Sequence, residues 1–373
     1  MNVPHSLRRS RIKRMVWRLT LSRLQILGFR RRVGSLDERM PAGAKWLRRA
    51  AWAGLQDSVP RAALLSIHAR VAGTSSSSWE HASLVQLWGP RFHNYVVAAK
   101  DLAIFSLGRL PEDAKRRARA QNTADGLDAV LKGERMPFGE AGRAMGVQPN
   151  SVRYAAATGR VLMRWDGARQ PEVWTVPPPD VEPRQARIEL ARRYLHIFGP
   201  TTATSFGDWA GIGLAEARDA FEALASKLTP VRTPLGDCWI LSEDEAAFLA
   251  QPEPAAPARL LPSGDAYYLL WGADREMLVP EVKRRAELWT TRVWPGAVLV
   301  SGEIAGVWRR AAAEISIAVW RRLSAAEREA VEGEAISLPL PDLKGPIHVC
   351  WGASVRRRKR LGHPARKRVS HKC

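Results

Sequence analysis

Cysteine is scarce in this chain: Cys238, Cys350 and Cys373 are the only three in 373 residues, far apart and in no metal-ligand spacing. That excludes a disulfide framework and a zinc finger and suits a reducing compartment. Long apolar runs are missing as well. No stretch approaches about 18 uncharged apolar residues, so no membrane span is expected and the chain reads as soluble and cytoplasmic, nucleoid-associated if it binds DNA. "MVWRLTLSRLQILGF" near the start is broken by Arg18 and Arg23, against a signal peptide. Its Arg-rich, acid-free character matches an organelle presequence as well as a start codon assigned too far upstream. Phosphate loops, dinucleotide fingerprints, Ser-His-Asp ordering and metal-ligand clusters are also absent. ATPase, dehydrogenase and metallohydrolase readings lose their support, and no metal, nucleotide or other cofactor is expected.

Acid is lacking at both ends. Residues 1–33 hold ten basic side chains and no acid, and residues 356–373 hold nine more, again with no acid. With those nineteen set aside, 39 of the 58 basic residues face 37 acidic ones, so the net charge of +21 belongs to two terminal arms around a near-neutral body. Such arms attract phosphate without reading sequence, or serve as charged, disordered tails.

What is present is ordinary globular composition, 46% apolar and 25% charged, enough for a packed core in two to four units. Tryptophan, with 15 copies, is the plentiful aromatic; most are expected as packing anchors, one or two as a base-stacking wedge.

The clearest pattern is residues 136–176. Pro137 opens a short helix, Gly146 stops it, Asn150 or Ser151 caps a second over "SVRYAAATG", and "RVLMRW" and "EVWTV" flank an Asp-Gly hairpin turn. Helix, turn, helix, hairpin is the order of a winged helix-turn-helix. About 65 to 75 residues downstream the order recurs in "PRQARIELARRYLHIFG", "TTATSFGDWAG", "LAEARDAFEALASKL" and "TPVRTPLGDCWIL". An earlier copy fits residues 35–110 less neatly, with helices expected in "AKWLRRAAWAGL", "RAALLSIHARV" and "WEHASLVQLWG" and a strand in "RFHNYVVA". Beyond "QPEPAAPA" come short β runs, "ARLLP", "AYYLLW", "AVLVSGEIAGVW" and "EISIAVW", with one helix, "SAAEREAVEGEA".

The fold expected is therefore α+β: a basic arm (1–33), winged helices at 34–111, 112–180 and 181–250, a β-rich domain at 258–352, and a disordered basic tail (353–373). For DNA contact, Asn150, Ser151 and Arg153 stand at the N-terminal end of a recognition helix, and Arg160, Arg164 and Arg169 on the wing after it. The bland alternative is a solvated face on a structural spacer.

"RAAWAGLQDSVPRAAL", "WGPRFHNYVVAAKDLAIFSLGRLP", "ARIELARRYLHIFGPTTATSFGDWAGI", "RLLPSGDAYYLL" and "PGAVLVSGEIAGVWRR" together resemble a bacterial family, the AlkZ-like tandem winged-helix DNA glycosylases. The resemblance covers about residues 20–340. It implies three winged helices in a C-shape around duplex DNA, with a β-barrel-like C-terminal domain; a monomer is expected separately, since no pairing helix stands out.

It also implies where chemistry lies. That family carries Gln-x-Gln or Gln-x-Asp in its first unit, one side chain orienting the attacking water and the other steadying a cationic sugar. Here the triplet is Gln56-Asp57-Ser58: Gln56 holds the first position, Ser58 replaces the second, and Asp57, usually turned away, is the alternative oxygen. The resemblance makes His93 a rim candidate, with Arg91 just before it read as a DNA contact, and pairs Asp265 with a family aspartate that tethers a turn. The bland reading of the triplet is a cap, Asp57 or Ser58, for a helix with Pro60 in its first turn.

Three functions follow. The first is a sequence-tolerant binder of double-stranded DNA. The second is a monofunctional glycosylase for alkylated or crosslinked bases. A transcription regulator ranks third, because no dimer-forming helix stands out.

Overall fold

The computed structural model describes residues 19–352 except Ala168, Pro252, Asp342 and Lys344, so the basic residues before Leu19 and the tail from 353 lie outside the described residues. The architecture is mixed α+β, built on three sheets.

A six-stranded antiparallel sheet runs Leu55–Gln56, Asn94–Ala98, Leu84–Trp88, Val161–Arg164, Glu172–Thr175, Met136–Pro137. It fuses the hairpins of the first two expected units, edge to edge, through Gln86 opposite Met163. The helix Ala114–Leu131, the short helix Phe138–Ala144 and a 3-10 helix, Pro149–Thr158, pack beside it around Leu127, Val152 and Val161. Asp113 caps the first of these by accepting from the Arg116 amide, and Gly159, at φ 74°, ends the last.

Helices Pro183–Phe198, Ala203–Ala210 and Leu214–Ala223 then bury Leu190, Tyr194, Phe206, Trp209 and Phe221 together, ahead of the hairpin Leu228–Thr233 and Gly236–Leu241. Thr202 caps the second helix and Gly211 closes it.

The third sheet is five-stranded: Ala258–Leu261, Gly296–Val300, Glu303–Ala311, Glu314–Val319, His348–Trp351. Its central turn is the expected Ser301-Gly302, both with positive φ (49° and 84°), the geometry of a two-residue type I′ hairpin. The barrel-like expectation needs correction, because the outer strands Ala258–Leu261 and His348–Trp351 do not pair, and the described sheet is open.

Three other expectations change. "WEHASLVQLWG" is not a helix: Leu84–Trp88 is a strand hydrogen-bonded on both sides. Leu84, Leu87 and Trp88 imitate helical spacing because Gln86, the polar break, is itself buried and bonded. "AYYLLW" is not a strand but a buried irregular segment, in which the Tyr268 hydroxyl donates to the carbonyls of Pro262 and Pro295. Within the expected N-terminal arm, residues 19–33 are folded into a strand and a helix. Leu19–Thr20 pairs in parallel with Val231 and Arg232, and the helix Arg23–Val33, capped by Ser22, buries Arg30 and Arg31. Arg23 pairs with Glu303, Arg30 with Asp274 and Arg31 with Asp37, so these cations are committed internally.

Candidate active site

Gln56 lies in an edge strand of two residues, opposite Tyr95. The strand ends at Gln56, Asp57 continues the pairing by donating its amide to the Asn94 carbonyl, and Ser58 lies in a bend beyond it. Asp57 is fully buried. Its Oδ1 accepts from the Ala63 amide (2.9 Å), near the start of the helix Ala62–Arg70, and its Oδ2 from Gln86 Nε2 (2.8 Å). Gln86 Oε1 in turn accepts from the Trp165 amide at 2.7 Å, which locks the two hairpins together. Burial pushes the Asp57 carboxyl up to about 6, the Ala63 amide opposing it. Asp57 is thus a helix-capping and sheet-locking residue by placement, its carboxylate engaged out of reach of solvent.

The exposed Ser58 Oγ lies 3.1 Å from His93 Nδ1. His93 is half-buried; burial first, then the charges of Arg91, Arg153 and Arg109, hold its pKa down to about 4. At neutral pH the imidazole is therefore uncharged and can accept from the serine hydroxyl. It follows a 3-10 turn, Pro90–Phe92, where Arg91 and Phe92 both take left-handed backbone (φ 53° and 58°). Such φ values in non-glycine residues are uncommon and cluster at working loops.

Behind Gln56 stands the segment Ser263-Gly264-Asp265. Gly264, at φ +78°, lets the Gln56 carboxamide approach so closely that a Cβ there would stand 3.0 Å from Nε2. Asp265 fixes this segment: it accepts from Arg70 Nη1 (2.7 Å) and Nη2 (2.8 Å), Ser66 Oγ (2.7 Å) and the Tyr267 amide (2.9 Å). Burial works against its charge, yet Arg70 and these donors hold its carboxyl below the usual range. The Tyr95 hydroxyl donates to Gln56 Oε1 at 3.4 Å. Beyond Ser58, a cleft of ≈ 300 Å³ opens between Val59-Pro60 and the C-terminal residues Ser263, Trp294, Trp308 and Arg310.

The structure brings Gln56, Ser58, His93 and Arg91 to one neighbourhood and turns Arg153 toward it. The Arg153 guanidinium lies 5.9 Å over Trp88 and 5.8 Å over Phe138, with Nε buried and unpartnered among the described residues. The wing arginines are elsewhere. Arg160 pairs with Asp125 and Asp128, and Arg164 pairs with Glu80 while covering Trp79 at 4.0 Å. Asn150 and Arg169 are exposed and Ser151 half-buried. Sequence reasoning missed Gln86, Arg70, Trp271 and Arg275. Only the polar break that Gln86 makes in an apolar run gave a signal for any of them.

Among the described residues no group of His, Cys, Asp and Glu is arranged to hold a metal, and no helix is long and apolar enough to cross a membrane. A family model described as "DNA glycosylase AlkZ-like" matches residues 49–338. An interstrand DNA cross-link repair glycosylase from Streptomyces sahachiroi is 29% identical over 159 residues, which is 41% of this chain and 42% of that protein. The solved structure of the Streptomyces sahachiroi DNA glycosylase AlkZ superposes with a TM-score of 0.69 at 18% identity, covering 89% of this chain and 100% of that one, a likeness of fold. The family match takes in the Gln56 strand, the His93 turn and the Asp265 segment together, and on it the chain belongs to the AlkZ-like DNA glycosylase family.

Proposed function

We propose that this chain is a cofactor-independent, monofunctional DNA glycosylase that hydrolyses the N-glycosidic bond of an alkylated or crosslinked base in duplex DNA. The observation that carries the reading is the hydroxyl of Ser58, two residues after Gln56, resting on a neutral His93. Family membership supports hydrolysis over DNA binding alone, and the name of the Streptomyces relative supports a crosslink as the substrate class.

In the proposed reaction the C1′–N bond breaks and its electron pair leaves with the base. A base alkylated on a ring nitrogen is already cationic and departs neutral, so no strong general acid is required. The Gln56 carbonyl oxygen stabilises the oxocarbenium-like sugar and orients water. The water oxygen bonds to C1′; its proton passes to Ser58 Oγ as the Ser58 proton moves to His93 Nδ1, and then to solvent. A base as weak as His93 suffices, because water bonded to an oxocarbenium carbon is strongly acidic.

Three winged-helix units (34–111, 112–180, 181–250) and the sheet domain (258–352) would hold the duplex as a monomer in the cytoplasm, at the nucleoid. Arg91 and Arg153 would lie near the lesion, and Asn150, Ser151 and Arg169 on the outer contact face. Arg160 and Arg164 would reach DNA only by releasing their acids.

The test is abasic-site formation from alkylated and from crosslinked duplex under single turnover. Product that disappears in Gln56→Ala and falls in Ser58→Ala supports the reading. No product from either substrate, with duplex still bound, overturns it in favour of a non-catalytic binder.

A further inference from the structure

Two residues before His93, Arg91 reaches across to the C-terminal half. Its guanidinium carbon lies 4.9 Å from the ring of Trp271, and that of Arg275 lies 4.5 Å from the same ring and 5.0 Å from each of Trp289 and Trp294. Trp271 is itself 49% exposed, so the pair sits at the surface on an indole platform. Two like charges that share one ring repel, and burial followed by the Arg91 charge pushes Arg275 down to about 10.

Several buried arginines elsewhere in this protein face acids, while the buried Arg109 is held by three backbone carbonyls. Arg30 faces Asp274, Arg70 faces Asp265, Arg187 faces Glu112 and Arg193 faces Asp101. Neither Arg91 nor Arg275 has a carboxylate within 4.0 Å among the described residues. Arg91 Nε and Arg275 Nη2 are buried donors without partners, although Arg275 is held in place by donating Nε to the Leu270 carbonyl at 2.7 Å. Unpaired, desolvated guanidinium donors are costly, and the cost is relieved when an anion arrives. Arg91 is also fixed: its left-handed backbone packs on Gly211, where a Cβ would stand 3.1 Å from the Arg91 amide nitrogen. Two acid-free guanidinium groups thus stand at one exposed indole, a pairing whose donors suit the oxygens of a phosphate.

We propose that Arg91 and Arg275, carried on Trp271, clamp a single backbone phosphodiester of bound DNA next to the nucleotide that His93 faces. The proposal rests on the reading that the chain binds DNA and needs no turnover. The clamp would fix the sugar–phosphate chain on one side of the reacting sugar while Gln56 and Ser58 meet it on the other.

The test is equilibrium binding of the full chain to undamaged and lesion-bearing duplexes in which single phosphates are replaced, one at a time, by uncharged methylphosphonate. In the unaltered protein one position beside the lesion should cost about ten-fold in affinity, the scale of a charge-assisted hydrogen bond to phosphate. In Arg275→Gln the same replacement should cost less than about two-fold, as a coupled pair requires. Arg91→Gln and Trp271→Ala should likewise blunt it, and either arginine variant should lower the slope of log affinity against log salt by about one. Equal losses in protein with and without Arg275 and Arg91 would overturn the clamp. So would stabilisation by inorganic phosphate alone with no sensitive backbone position, which would mark a free-anion site. Because the readout is binding, these outcomes stand apart from whether abasic product forms.

Discussion

The hairpin of Val161–Arg164 and Glu172–Thr175 and the turn at Pro90–Phe92 both lie by arginines that a reader of the sequence would assign to DNA, and the structure treats them differently. At the hairpin, Arg160 just before it meets Asp125 and Asp128, and Arg164 within it meets Glu80. At the turn, Arg91 meets an indole and a second arginine, with no acid among the described residues. A formal charge of +21 therefore says little about where a phosphate would settle. What decides it is which cations have been neutralised by folding, since a paired guanidinium must give up its acid first.

Breaking a buried pair should show the difference most strongly. Asp265→Ala leaves Arg70 charged and unpaired in the core, and a loss of about 3–5 kcal/mol in denaturant unfolding is expected, with activity falling as the support behind Gln56 loosens. Gln56→Ala should lower single-turnover abasic formation about 10²- to 10³-fold, the scale of one transition-state dipole, at nearly unchanged stability. Asp57→Ala strips acceptors from the Ala63 amide and from Gln86, and should cost about 2 kcal/mol of unfolding free energy. A catalytic loss far beyond that, in folded protein, would instead place Asp57 in the chemistry. Arg160→Ala should change duplex affinity by less than about three-fold, as expected for a surface cation already paired; a loss as large as that of Arg91→Gln would erase the contrast.

The smallest expected effect is a flat line. Because burial holds His93 down to about 4, the rate should show no inflection at the ordinary histidine value between pH 8 and 5. For stability the signs are opposite at neighbouring residues. Unfolded histidine takes a proton near 6.5 while folded His93 resists to about 4, so its contribution is lost as pH falls across that window. Asp57, raised to about 6, takes a proton in the fold before it would in the unfolded chain, so its contribution grows as pH falls from 6 toward 4. Replacing His93 by Gln should therefore make the protein relatively more stable in acid than at pH 7, measured by thermal unfolding.

Elements defined by local chemistry were legible in the sequence. Ser301-Gly302 fixed a hairpin, Pro137 and Gly159 bounded helices, and Leu190 with Tyr194 marked a buried helical face. Misreadings arose where tertiary partners override periodicity. Leu84–Trp88 reads as helix until the partners of Gln86 are known, and 266–271 reads as strand although its backbone turns to place Tyr268 against two carbonyls. In the site, Gln56 and its neighbours were visible as a motif. Ser58 meeting His93 across 35 residues was not, nor was Arg91 meeting Trp271 in the C-terminal half. Nothing in the local sequence separates Arg91 from Arg164; the acid that distinguishes them is 84 residues from Arg164.

The short parallel strand Leu19–Thr20 and the helix after it touch the hairpin Leu228–Thr233 and Gly236–Leu241, the helix Pro183–Phe198 and, through Arg23 and Arg30, the C-terminal residues Glu303 and Asp274. Material from the beginning of the chain thus bolts together two portions that begin more than 150 residues later. Melting of the described body should be one cooperative event, and severing the backbone between this bolt and Leu36 should split it into at least two.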